Sequence, residues 1–230
     1  MPSDVIHGAL RIALGQVTLD ADLSVPDRAA GLVIFAHGSG SSRFSRRNRA
    51  VAGALGAAGF ATLLLDLLTS QEESQDELTR EHRFDIDLLG RRVIGAADWS
   101  RHDARLRELN IAFFGASTGA AAALIAAAER PEITRAVISR GGRPDLAGAA
   151  LSRVQAPTLL IVGGSDQPVI ELNRDAMRQM GTPVALEIVP GATHVFEEPG
   201  ALEEVARLAI AWCERHLGGG AAGRRWEHHA

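Results

Sequence analysis

Short apolar runs alternate with amphipathic stretches along most of this chain, and that alternation predicts a mostly parallel sheet covered by helices on both faces. Residues 8–24 alternate with period two and read as a pair of antiparallel edge strands. Residues 31–37 (GLVIFAH) read as a strand buried on both faces, and 61–68 (ATLLLDLL), 111–115, 135–139, 157–162 and 184–189 as further strands. Residues 48–59, 85–99, 120–128 and 201–217 read as helices, from apolar spacing or alanine content. The polar, acidic stretch 69–79 reads as a solvated loop. No internal repeat and no second domain appears. The pattern predicts one domain over 1–217 and a flexible glycine-rich, then polar, tail over 218–230.

Composition narrows the chemistry. With 230 residues, 46% of them hydrophobic, the chain can bury a sizeable core. A formal charge of -4 gives no basic surplus for nucleic acid or an anionic membrane surface. All 24 basic residues are arginine, which excludes a P-loop lysine and Schiff-base catalysis. The one cysteine, Cys213, cannot pair internally and offers no zinc cluster; its helical spacing with Ala206 and Ala209 makes it a buried filler, and Leu208 and Trp212 read as core. Asp4 and His7 near the start do not read as a signal peptide, and no apolar stretch approaches the roughly 20 residues of a membrane helix. The expectation is a soluble cytoplasmic protein.

Three segments carry the chemistry. In Gly115-Ala116-Ser117-Thr118-Gly119 an apolar strand runs into G-x-S-x-G and then into an alanine-rich helix, the context of a nucleophile elbow. A serine hydroxyl needs a base to take its proton. Of the 8 histidines, His194 follows the last strand on a Pro- and Gly-containing loop and precedes the last helix. Asp166 follows the strand 157–162 and completes the order Ser117, Asp166, His194; Asp145, in GGRPD, is the rival acid, or else a helix N-cap. The oxyanion hole needs two fixed N–H donors, expected from Thr118 and from Ser39 in His37-Gly38-Ser39-Gly40, with Gly40 as the alternative. His37 reads as a brace for that loop, and Asp66 as structural.

The segments 37–42, 115–119, 163–166 and 191–194 together resemble the α/β-hydrolase superfamily, and within it the dienelactone hydrolase family, a compact branch without a large cap. The resemblance spans roughly residues 30 to 215. It implies an eight-stranded, mostly parallel sheet and hydrolysis of an ester-like bond without metal or organic cofactor. Ser117 stands where the founding enzymes use cysteine, and Gly38 where they carry an acidic residue. Some relatives are joined to a phosphoribosyltransferase domain, which this chain is too short to hold.

Arginines supply the remaining candidates. Arg43 lies closest to the oxyanion loop and is a candidate substrate contact, whereas Arg46, Arg47 and Arg49 read as a solvated helix start. Arg140 ends a core strand at the sheet edge where ligands bind in this architecture; it either contacts substrate or pairs with a carboxylate such as Asp145. The function expected is cleavage of small soluble esters through an acyl-enzyme on Ser117. Acyl transfer by the same triad and non-catalytic ligand binding stay open. The expected partner is a small-molecule ester, not nucleic acid or membrane, and the sequence leaves the oligomeric state open.

Overall fold

The computed structural model describes residues 6–218; the tail expected beyond Gly218 lies outside them. The edge pair forms as read. Strands β1 (Ile6–Leu14) and β2 (Val17–Val25) are antiparallel, joined at Gly15, whose φ of 64° suits a tight hairpin. Strand β2 also runs antiparallel to β4 (Ala61–Leu65), and from there the sheet is parallel. It continues with β3 (Leu32–Ala36), β5 (Ile111–Ala116), β6 (Thr134–Arg140), β7 (Thr158–Gly163) and β8 (Val184–Val189). The order is β1-β2-β4-β3-β5-β6-β7-β8, eight strands in one sheet.

Helices cover both faces because the central strands are apolar on both. Along β3, Val33 and Phe35 pack toward α1 (Arg46–Ala57) and α6 (Ala201–Leu217), whereas Leu32, Ile34 and Ala36 pack toward α3 (Ile86–Ser100) and α4 (Gly119–Glu129). Cys213 is buried on the α6 face, where desolvation pushes its thiol up to about 12; this is an inert filler. Leu208 and Trp212 pack against the same core.

Two helices depart from the sequence reading. Residues 70–79 are not a loop but helix α2 (Ser70–Thr79), opened by a capping box in which Thr69 Oγ1 accepts from the Glu72 N–H and the Glu72 carboxylate accepts from the Thr69 N–H. It has no apolar stripe: its one buried residue is Asp76, and Leu78 is exposed. Ion pairs anchor it instead, Glu72 to Arg92 at 2.5 Å and Asp76 to Arg83 at 2.5 Å. Helix α5 (Gln167–Gln179) buries Val169, Ile170, Asn173 and Ala176, a stripe thinned by an amide that donates to Gly142 and Val169 carbonyls. Between β6 and β7 the chain makes only a 3-10 segment, Pro144–Arg153, kinked at Gly148, so no cap covers the carboxyl ends of the strands there.

Candidate active site

The site is built where β5 ends. Ser117 has a φ of 51°, a left-handed conformation that a serine adopts only when its surroundings impose it. The Ser117 N–H donates to the Arg140 carbonyl at 3.2 Å, and the Ser117 carbonyl accepts from the Arg143 N–H at 3.0 Å. The turn is therefore held from the end of β6 on both sides. The flanking glycines have a steric reason. A Cβ on Gly115 would lie 2.4 Å from Ala120 Cα, and one on Gly119 would lie 2.3 Å from the Ala36 carbonyl oxygen. Strand, elbow and helix α4 can approach this closely only with hydrogen at both positions.

His194 lies on the loop after β8. Its Nδ1–H donates to Asp166 Oδ2 at 2.7 Å, leaving Nε2 to act as a base. Asp166 stands at the N-cap position of α5, yet its side chain caps nothing, so the carboxylate is available to the imidazole. The Ser165 N–H reaches the Ala192 carbonyl at 2.9 Å, which clamps the two loops together. Ser117 and His194 line one cavity of about 200 Å³, with Gly38 and Ser39 on its wall. Among the described residues no hydrogen bond joins Ser117 Oγ to His194; such contacts are commonly loose until substrate binds. Asp145 does not reach this site: it forms a fork with Arg143 at 2.9 and 2.8 Å and caps no helix.

The loop after β3 is braced as read. His37 is buried; its Nδ1–H donates to the Gly38 carbonyl at 2.9 Å and its Nε2 accepts from the Leu67 N–H at 3.0 Å. Desolvation holds its pKa below the ordinary histidine value, so the ring is neutral and has no free nitrogen for catalysis. Thr118 stands at the N-cap of α4 without a side-chain cap bond. Its hydroxyl is used elsewhere. Thr118 Oγ1 accepts from the Ser39 N–H at 2.9 Å and donates to Ser39 Oγ at 2.8 Å, while Ser39 Oγ donates to the Arg83 carbonyl at 2.8 Å. This side-chain link between the loop and the elbow was not visible in the sequence. It occupies the very N–H that the loop was expected to offer an oxyanion. Gly40, the alternative donor, has a φ of 66° and faces the Arg83 guanidinium.

This arrangement can be set beside known proteins. The model of the dienelactone hydrolase family matches residues 19–215. The chain belongs to the dienelactone hydrolase family. A solved dienelactone hydrolase from Anabaena variabilis is 56% identical, with a TM-score of 0.91 over 93% of this chain and 99% of that one. Est1E from Butyrivibrio proteoclasticus, solved with ferulic acid bound, shares the fold alone: 19% identity and a TM-score of 0.77 over 91% of this chain and 99% of that one. Curated proteins from two strains of Mycobacterium tuberculosis, bearing the name phosphoribosyl transferase, are 53% identical over 210 residues, 91% of this chain. The chain spans about half their length, 46%.

In this member of the dienelactone hydrolase family the arginines divide unexpectedly. Arg43 does not line the cavity that holds Ser117. Its backbone N–H donates to Asp66 Oδ1 at 2.7 Å, its guanidinium pairs with Asp66, and Asp22 and Asp20 stand at 3.6 and 3.9 Å. Arg49 pairs with Asp22 at 2.6 Å. Arg47, read as part of a solvated helix start, is partly exposed and pairs with Glu197 at 3.3 Å, and it also lines the cavity with Ser45 and Asn48. Arg140 is in that cavity too, and the pairing with Asp145 considered for it does not form. Among the described residues no helix is long and apolar enough to cross a membrane.

Proposed function

We propose that the chain is a serine hydrolase of small carboxylic esters, working through an acyl-enzyme on Ser117. The observation that carries this reading is the Asp166–His194 bond at 2.7 Å beside a serine held at a φ of 51° in the same cavity. Tight hydrogen bonding from Nδ1 fixes the imidazole tautomer that leaves Nε2 basic.

In the first half-reaction Ser117 Oγ attacks the ester carbonyl carbon as its proton moves to His194 Nε2. The tetrahedral oxyanion forms at the N-terminus of α4, with the Thr118 N–H as its donor and the helix dipole behind it. Collapse expels the alcohol, which takes the proton from Nε2 and leaves Ser117 acylated. Water repeats the sequence: its proton goes to Nε2, the acid departs, and the serine hydroxyl is restored. Asp166 holds the imidazole in place and stabilises the imidazolium.

Steady-state kinetics on methyl and 4-nitrophenyl butyrate test the reading. Wild-type protein should turn both over, and Ser117→Ala and His194→Ala should each lose nearly all of kcat while keeping the wild-type circular dichroism spectrum. Folded variants with near wild-type rates would overturn it.

A further inference from the structure

The loop after β3 has the sequence of a poorly ordered segment. Residues 38–42 are glycine and serine alone, and Gly40 has a φ of 66°. Such a stretch has many backbone conformations to lose on folding. It nevertheless lies against the nucleophile: a Cβ on Gly38 would stand 3.0 Å from Ser117 Cβ. The His37 ring fixes the start of the loop through the Gly38 carbonyl. Beyond that point, every hydrogen bond of Ser39 among the described residues passes through its own hydroxyl or that of Thr118.

The protons of this link have fixed places. Ser39 Oγ has one proton, and the Arg83 carbonyl, which can only accept, takes it at 2.8 Å. Thr118 Oγ1 therefore donates to Ser39 Oγ at 2.8 Å, and its lone pair accepts from the Ser39 N–H at 2.9 Å. The result is a one-way relay from an N–H, through two hydroxyls, to a carbonyl. Its far end is anchored, because the buried Asp76 accepts from the Arg83 N–H at 2.9 Å and from the Arg83 guanidinium. Its near end is the residue after the nucleophile. A threonine at a helix N-cap ordinarily caps a free N–H of the first turn, yet the Thr118 side chain caps none and reaches the loop instead.

We infer that the Thr118 hydroxyl is a positioning group: it holds the Ser39 N–H at the elbow, where that N–H becomes the second donor to the oxyanion. The inference rests on the esterase reading and adds to it a side chain that acts only through its neighbour. At rest the hydroxyl oxygen stands in for the oxyanion, on the same residue that supplies the first donor. It is a neutral acceptor, and a charged oxygen accepts roughly twice as strongly. The N–H thus passes to the oxyanion as charge develops, and not to the neutral ester carbonyl. The donor is ordered before substrate arrives, and its contribution falls on the transition state rather than on substrate binding.

Two pairs of side chains differing by one oxygen test this: wild-type Thr118 against Thr118→Val, and Thr118→Ser against Thr118→Ala. The readouts are kcat and KM for 4-nitrophenyl butyrate, and inhibition by 1,1,1-trifluoro-2-hexanone, whose adduct with Ser117 carries an oxyanion. Losing an oxyanion donor outright costs about 10²–10³ in kcat, so losing its positioning should cost about tenfold or more in Thr118→Val and Thr118→Ala, with KM little changed. The ketone should bind both variants more weakly by a similar factor, and Thr118→Ser should restore most of kcat and of ketone affinity. Wild-type rates in both hydroxyl-free variants would overturn the inference and leave the esterase reading standing. So would activity that follows side-chain bulk, with Thr and Val alike against Ser and Ala. A fall in kcat with unchanged ketone affinity, the mark of a smaller active fraction, would overturn it too. A wild-type protein that cleaves no ester and takes no ketone would overturn both readings. Should Thr118→Val fail to fold, the serine and alanine pair decides.

Discussion

The loop of residues 38–41 has a cavity on each side, and the two differ in charge. On one side about 140 Å³ is lined by Asp66, Glu73, Asp76 and Glu77 together with Arg83. On the other about 200 Å³ is lined by Ser117, His194, Arg47 and Arg140, with no carboxylate. On the acidic side Asp66 is paired with Arg43 and Asp76 with Arg83. Asp76 accepts from the His82 and Arg83 N–H groups at 2.8 and 2.9 Å as well as from the Arg83 guanidinium. Burial alone would raise its pKa, but those bonds together hold it below the ordinary carboxylate value. Glu73, by contrast, is raised, first by desolvation and then by Asp66 and Glu77. The comparison teaches that an arginine's role is set by what already occupies its donors. Arg43 is nearer the oxyanion loop in sequence, yet its charge is spent on Asp66, whereas Arg140 bonds to the neutral Asn48.

The largest expected effect breaks the catalytic side alone. Asp166→Asn should lower kcat for a butyrate ester by up to about 10⁴, the loss seen when a triad acid can no longer fix the tautomer. Asp145→Asn, which only releases Arg143, should change kcat by less than about threefold, as expected of a partly exposed pair. Rapid-mixing kinetics on both variants checks the ranking, and the reverse order would place the acid on the β6 side.

Next in size, the acidic side should matter for stability. Asp76→Asn keeps the shape but removes the charge that three donors share, and should cost about 2 kcal/mol in urea unfolding, the scale of hydrogen bonds to a charged group. An unchanged urea midpoint would mean that α2 is not anchored through Asp76.

A smaller effect sharpens the size of the catalytic cavity. With about 200 Å³ available and only a 3-10 segment between β6 and β7, butyrate esters should exceed palmitate esters in kcat/KM by about tenfold. A preference for palmitate would require an apolar shelter elsewhere.

The smallest effect concerns the brace between the two sides. His37 has a lowered pKa in the fold, so its stabilising contribution is fully present above the unfolded value of about 6.5. It is lost as pH falls through the lower folded value, because the unfolded chain takes up the proton first. Urea midpoints measured between pH 8 and pH 5 should fall more steeply for wild type than for His37→Gln. Parallel curves would show that His37 titrates alike in both states.

Much of this was legible because the strands are unusually plain. Runs such as GLVIFAH and ATLLLDLL can only be buried on both faces, and their spacing fixes where G-x-S-x-G and His194 emerge. The steric need behind Gly115 and Gly119 is also readable, since it follows from strand and helix converging on one residue. Helix α2 was not legible, because its fold depends on a buried carboxylate and ion pairs rather than on periodic apolar contacts. The Thr69-x-x-Glu72 capping box was the one signal available, and no apolar run follows it. The partners of the arginines were also hidden. Asp66 meets Arg43 from 23 positions away and Asn48 meets Arg140 from 92, pairings that only the sheet order decides. The Ser39–Thr118 link is of the same kind, spanning 79 positions.

The central claim is that the arginine-lined side of the loop is a working catalytic centre on Ser117. Treatment with a fluorophosphonate probe, followed by proteolysis and mass mapping, tests it most directly. The account predicts one adduct, on Ser117, absent from His194→Ala under the same exposure. A folded protein that takes no label, or takes it on another serine such as Ser39 or Ser41, would contradict the claim.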